Sequence, residues 1–181
     1  MTFTKFKTKS GKNIIIRLAA EQDSAALLEM KLEYLKDTKT IPLFQKEYPD
    51  ELAYETQLIQ RLKEEKNSVL FVAENEGKLV GNIDLNGNQR LKLFHTGVIG
   101  MGIRSEWRAL GIGSALIDAV IKWSESNPYI NLLWLEVYDS NEAGKALYNK
   151  MGFKECGRIR NFFCEDNVFI DKITMVRHLI R

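Results

Sequence analysis

From Thr96 to Trp123 the chain reads TGVIGMGIRSEWRALGIGSALIDAVIKW: a β-branched stretch with three glycines, a polar bend, then two glycines opening a helical period. Glycine inside a strand loosens it and marks a bulge or a close approach by another backbone or a ligand. The spacing of Ile112, Ala115, Leu116, Ala119, Val120 and Trp123 predicts a helix from Gly111 onward. A helix start offers unpaired N–H groups and the positive end of the dipole, a combination that favours phosphate. Gly111 and Gly113 would remove side chains where a pyrophosphate approaches, Arg108 would place a cation at the rim, and Ser114 could add a hydroxyl donor. The same residues would equally serve a strand–helix turn that needs glycine only for its dihedrals.

Other glycine motifs fail on spacing. Gly100-Met-Gly102 begins a dinucleotide fingerprint, but Ser105 stands where the third glycine belongs. Ser10-Gly11-Lys12 suggests a P-loop, yet Phe6 replaces its first glycine and Asn13 its Ser/Thr. Asp139-Ser-Asn141 fails as a calcium loop at Ala143 and Gly144. His95 and His178 lie in no ligand cluster, so no metal is expected.

The rest of the chain reads as one mixed α/β domain over its 181 residues. Asn13–Leu18 predicts a strand, and Asp23 or Ser24 would cap a helix to about Lys36 with Ala25, Leu28, Leu32 and Leu35 near one face. A second helix is expected near Asp50, with Leu52, Ile59 and Leu62 along its stripe. Val69–Glu74 and Leu79–Leu85 read as a hairpin about Glu76-Gly77-Lys78, Leu91–Ile103 as one long strand, and Asn131–Tyr138 as another. A short helix Asn141–Met151 ending at Gly152, then strands within Phe153–Phe163 and Val168–Arg177, complete the order βααβββαβαββ.

Composition narrows the partners. With 26 basic and 24 acidic side chains the net charge is +2, and no basic stripe suggests nucleic acid. No apolar run approaches the ~20 residues of a membrane span. The opening MTFTKFKTKSGKN has cations but no apolar signal core, and Cys156 and Cys164 are too far apart for a C-x-x-C pair. A reduced, cytoplasmic protein is expected.

Arg108-x-x-Gly111-x-Gly113 after a strand, Leu135-Glu136-Val137, and Asn141 followed by Leu147-Tyr148 and Gly152-Phe153 together resemble the GNAT superfamily of N-acetyltransferases. The resemblance covers about Val69 to Met175; Asp171 with Met175 resembles the family's final strand, and Gly144 departs from a usual alanine. It implies a mixed, largely antiparallel sheet with flanking helices and a splayed strand pair, residues 1–67 being the variable amino-terminal part and 68–181 the core. It also implies acetyl-CoA as cosubstrate and direct attack by an amine acceptor in a ternary complex. By resemblance the amides of Arg108, Ala109, Leu110, Gly111, Ile112, Gly113 and Ser114 cradle the pyrophosphate, and pantetheine enters the splay near Met101 and Ile103. That entry would explain Gly100 and Gly102. The Met101 amide would polarise the acetyl carbonyl. Tyr148 would protonate the departing thiolate, and Asn141 would cap its helix and contact pantetheine. Tyr148 could alternatively be a core aromatic, and Asn141 a cap alone.

The amine's proton needs an acceptor. Glu136, Asp84, His95 and a water relay are all open, and Glu136 is put forward as the side chain in the site. Acceptor selection would fall to Tyr34–Tyr54 and Arg158–Asn167. Asp37, Glu47, Asp50, Glu51, Glu165 and Asp166 there suit a cationic amine, Arg158 and Arg160 an acceptor carboxylate, and Phe162 and Phe163 could line either pocket. The alternative function is a non-catalytic acyl-CoA-binding or interaction module on the same fold. A homodimer is compatible with the fold, though no stripe in the sequence fixes it.

Overall fold

The computed structural model describes residues 4–179; the first three residues of the amino-terminal stretch, and the side chain of Asp37, lie outside what is described. Its strands are β1 (Thr4–Lys7), β2 (Asn13–Leu18), β3 (Val69–Asn75), β4 (Lys78–Gly87), β5 (Thr96–Ile103), β6 (Leu132–Tyr138), β7 (Lys154–Glu165) and β8 (Val168–His178). Its helices are α1 (Ser24–Asp37), α2 (Leu52–Glu64), α3 (Ile112–Ser126) and α4 (Glu142–Lys150). The strands form one sheet in the order β1-β2-β3-β4-β5-β6-β8-β7. Every neighbouring pair is antiparallel except β5 with β6.

Side-chain alternation divides the two faces. Ile83, Leu85, Ile99, Leu133, Leu135, Val137, Ile173 and Met175 pack with Ile112, Leu116, Ile117 and Val120 of α3. Leu70 and Val72 turn to the other face and meet Leu27, Met30, Tyr34 and Leu35 of α1 and Ile59 and Leu62 of α2. Each such fully buried aliphatic side chain contributes about 1.5–3 kcal/mol, so both helical layers are tied to the sheet.

Four expectations change. β1 is an additional edge strand, paired to β2 from Thr4↔Ile16 to Lys7↔Asn13. The stretch expected to be one strand from Leu91 is a tight 3-10 turn at Leu91–Leu93, and β5 begins at Thr96. The buried stripe of α1 is Leu27, Met30, Lys31, Tyr34 and Leu35, with Ala25 exposed and Leu28 and Leu32 half-buried. In α2, Leu52 is exposed and Glu55 takes its place in the buried stripe beside Ile59 and Leu62.

Candidate active site

β5 and β6 pair over only three positions, Thr96↔Leu132, Gly97↔Leu133 and Val98↔Trp134. Beyond them β5 keeps its partner β4 to Gly81↔Ile103, and β6 keeps β8 to Tyr138↔Lys172. A wedge therefore opens between two adjacent strands. The Arg104 N–H donates to the Val80 carbonyl and the Asn88 N–H to the Thr96 carbonyl, both at 3.0 Å. Those bonds make the even-numbered residues of β5 the hydrogen-bonded partners of β4. Met101 and Ile103 consequently turn their N–H and C=O groups into the wedge. One of these carbonyls, that of Ile103, accepts from Arg108 Nε at 3.1 Å.

The bend after β5 is built from left-handed backbone. Ala109 has φ 60° and Gly111 φ 88°, the former a conformation that a β-carbon penalises and that collects at ligand sites. Gly111 is the N-cap of α3 and supplies no side-chain cap, and the first helical bond runs from Ala115 N–H to the Gly111 carbonyl at 3.1 Å. The amides of Ile112, Gly113 and Ser114 are thus left for an anion. Arg108 is exposed at the rim, Leu110 and Ser114 are half-buried, and Ile112 is buried in the core.

Gly100, Gly102 and Gly113 have close side-chain neighbours, whereas Gly111 is open. A β-carbon at Gly113 would lie 2.9 Å from Leu147 Cδ2, so this glycine lets α3 and α4 meet. A β-carbon at Gly102 would overlap the Tyr34 ring, and one at Gly100 would lie 3.1 and 3.2 Å from the Asp84 carboxylate oxygens. The expectation that Gly100 and Gly102 make room for the wedge is therefore corrected: both accommodate side chains on the α1/α2 face. Gly144 has a similar reason, since a β-carbon there would stand 2.6 Å from Asn141 Nδ2.

Asn141 caps α4, its Oδ1 accepting the Gly144 N–H at 2.9 Å. Tyr148 of that helix is half-buried against the α3-side core, edge-on to Phe153 at 6.1 Å, and desolvation pushes its phenol up to about 12. No hydrogen bond to its hydroxyl occurs among the described residues.

The expected bases separate. His95 is exposed at the start of β5, the end away from the wedge, and its backbone carbonyl accepts from Asn131 at 2.8 Å. Glu136 is exposed on β6 and its carboxylate accepts from Lys172 Nζ at 2.7 Å. Asp84 lies across from Gly100 on the α1/α2 face; burial pushes its carboxyl up to about 6 against the pull of Lys31, Arg61 and a hydrogen bond from Asn86. Nothing in its sequence neighbourhood marks that environment, which four separate elements assemble.

The loop between α1 and α2 approaches the ends of β6 and β7. Leu43, Phe44 and Glu47 after α1 share a cleft with Tyr138 at the end of β6 and Phe163 and Glu165 of β7. Arg158 is excluded from it by ion pairs to Asp139 at 3.0 Å and Asp171 at 3.1 Å.

Comparison with known proteins places the fold in a family. Residues 31–153 match the acetyltransferase (GNAT) family model. An N-alpha-acetyltransferase of Sulfurisphaera tokodaii is 33% identical over 59% of this chain and 68% of its own length. An L-amino acid N-acetyltransferase of Escherichia coli is 24% identical over 91% of this chain and 97% of its own. The GNAT-family acetyltransferase structure from Streptococcus pneumoniae superimposes with a TM-score of 0.88 at 23% identity, over 92% of this chain and 99% of that one. Other solved proteins of the fold contain acetyl-CoA. The chain belongs to the GNAT family of acetyltransferases and is an acetyl-CoA-dependent N-acetyltransferase.

Proposed function

We propose that the acceptor's primary amine attacks the thioester directly within a ternary complex, the thioester lying in the wedge between β5 and β6. The observation that carries this reading is the early parting of the two parallel strands, with the Met101 and Ile103 backbone turned into the opening and unfilled amides of α3 at its mouth. The amides from Ala109 to Ser114 hold the pyrophosphate, while that of Arg108, expected to join them, is taken by the Ser105 carbonyl at 3.2 Å; the Asn141 side-chain nitrogen remains for pantetheine after its oxygen has capped α4. The Met101 N–H donates to the developing oxyanion.

The two proton-transfer groups lie on opposite faces of the sheet. Tyr148 is packed on the α3/α4 side, where its protonated phenol gives its proton to the thiolate. Asp84 faces the α1/α2 side, where its carboxylate takes the amine's proton. We assign this role to Asp84 in preference to Glu136, whose carboxylate is already held by Lys172. A carboxyl that titrates near neutrality can accept a proton and release it again.

We place the enzyme in the cytoplasm, acting on amines rather than nucleic acid, with β7 as the edge through which two copies could pair. Exposed free Cys156 and Cys164 fit a reducing compartment, and the uncovered outer edge of β7 beside exposed Ile159 and Phe162 fits self-association. Among the described residues no helix is long and apolar enough to cross a membrane. The test is amine-dependent release of free thiol from acetyl-CoA, with acetyl-CoA binding followed by calorimetry. Binding without release for any amine in a broad screen would support the non-catalytic alternative.

A further inference from the structure

The cleft between the α1–α2 loop and the ends of β6 and β7 has a volume of about 190 Å3. Its position follows from the topology: Tyr138 is the last residue of β6, four positions beyond Trp134, where β5 departs. Aromatic rings form one wall. Tyr138 and Phe163 lie 4.3 Å apart at 34°, and Phe162 meets Phe163 edge-on at 5.0 Å. A bulge sets this wall in place, because Asn161 adopts φ 53° and its N–H donates to Asp171 Oδ1 at 2.9 Å. The register of β7 shifts there between Ile159 and Phe163.

Tyr138 is only 4% exposed and lines the cleft, yet its hydroxyl has no hydrogen-bond partner among the described residues. Its ring is buried while its hydroxyl, which is not among the buried unpartnered atoms, opens to the cleft and is available to a donor there. Charge indicates the kind of partner. Glu47 and Glu165 line the cleft and no lysine or arginine does. One Glu47 oxygen accepts the Phe44 N–H at 2.8 Å, leaving the other free. Glu165 is close enough to Tyr138 to raise its phenol, secondary to burial.

Of the neighbouring cations, Lys172 and Arg158 are committed elsewhere, and Lys46 lies by the ring of Phe44 without lining the cleft. Lys172 is 2.7 Å from Glu136 and stands 3.9 Å over the Phe162 ring, Arg158 is paired with Asp139 and Asp171, and Lys46 covers Phe44 at 5.7 Å. We propose that this cleft binds a cationic group of the acceptor, so that the substrate carries a second ammonium or guanidinium besides the amine to be acetylated. This rests on the acetyl-transfer reading above. The cation lies against the Tyr138 and Phe163 rings, donates to the Tyr138 hydroxyl oxygen, and is balanced by Glu165 and Glu47. An acceptor carboxylate in the same place would face two like charges.

The test uses the full chain and pairs of acceptors that differ in one charge: 1,4-diaminobutane against n-butylamine, and a short peptide with lysine against the same peptide with norleucine. The peptide arm distinguishes a peptide substrate from a small polyamine. The cationic member of at least one pair should have kcat/KM about tenfold above its neutral partner, the size of one charge-assisted contact. Glu165→Gln should remove most of that ratio. Equal use of both members, or a ratio unchanged in Glu165→Gln, overturns the inference while leaving acetyl transfer intact. Should no acceptor turn over, calorimetry of the two cationic probes themselves decides. Binding of either that weakens about tenfold in Glu165→Gln supports the cation site, and binding of neither to the unaltered protein overturns it. Failure of acetyl-CoA to bind would be seen separately and would count against the parent reading.

Discussion

The Asp84 carboxylate lies directly over Gly100, its two oxygens 3.1 and 3.2 Å from where a β-carbon at that glycine would sit. The missing side chain thus lets an acid held at about 6 lie beside the strand whose next residue, Met101, turns its amide into the wedge. Asp84→Asn should lower kcat/KM by about 10²-fold or more, the usual worth of a general base. The sign of the pH effect follows from burial. The carboxylate is the active form, so the rate should fall as pH drops through about 6, and that limb should be absent from Asp84→Asn. Stability should move oppositely: the folded protein holds the proton more tightly than the unfolded chain, so this group costs stability as pH rises from about 4 to about 6. A rate profile with the same acid limb in the variant would remove Asp84 from the base role.

Tyr148 makes a complementary prediction at the alkaline end. Its phenol is pushed up to about 12 by burial, so it stays protonated and its loss of a proton adds no falling limb below pH 10. Tyr148→Phe should lower kcat by about 10²-fold with little change in acetyl-CoA affinity by calorimetry. Equal kcat in the variant would leave Tyr148 as a core aromatic against Phe153.

At the bend, Gly111→Ala and Gly111→Glu separate conformation from charge. Gly111 has φ 88° with open space around its missing side chain, the nearest atom being Phe6 Cε2 at 3.9 Å. Alanine should therefore cost about 1–2 kcal/mol through backbone strain alone, read by urea unfolding. Glutamate should add repulsion at the helix start and abolish acetyl-CoA binding. If glutamate binds as well as alanine does, the pyrophosphate is held elsewhere.

The segments whose reading held share a physical property: local chemistry decides them. Ile14–Ile16 favour a strand whatever their surroundings, and the spacing of Ile112, Leu116 and Val120 favours a helix after Gly111. β1 escapes notice because TKFK has one apolar residue and gains its order from pairing with β2 at the sheet edge. In α1, apolar residues fall on more than one face, so packing chose Leu27, Met30 and Tyr34 over Ala25 and Leu28. Glycines 100, 102 and 113 signalled close approach correctly, but the approaching atoms belong to Asp84, Tyr34 and Leu147, distant in sequence. Asp84 itself was legible only as one acid among several, because the burial that raises it, and Lys31 and Arg61 that oppose the rise, are brought about by elements distant in sequence.

A buried charge pair links the amino-terminal helices to the loop between them and gives the last prediction. Lys31 and Glu55 are 5% and 0% exposed, with Nζ 3.0 Å from Oε2. Lys31 also donates to the Tyr48 hydroxyl at 2.9 Å, and that hydroxyl donates to Glu55. Tyr48 follows the Leu43–Glu47 stretch that lines the cleft, so the pair anchors the loop. Removing one partner leaves the other charge buried and should cost about 3–5 kcal/mol, in Glu55→Leu and Lys31→Met alike. The double variant, with neither charge, should recover most of that loss because desolvation of both ions is avoided. Loss of the Tyr48 anchor persists in the double variant, so it should still show a raised KM for the amine with acetyl-CoA affinity unchanged. Urea unfolding of the three variants and steady-state rates of the double test both halves. Single variants within about 1 kcal/mol of the unaltered protein, well short of the cost of a stranded ion, would show that this pair does not hold the helices together.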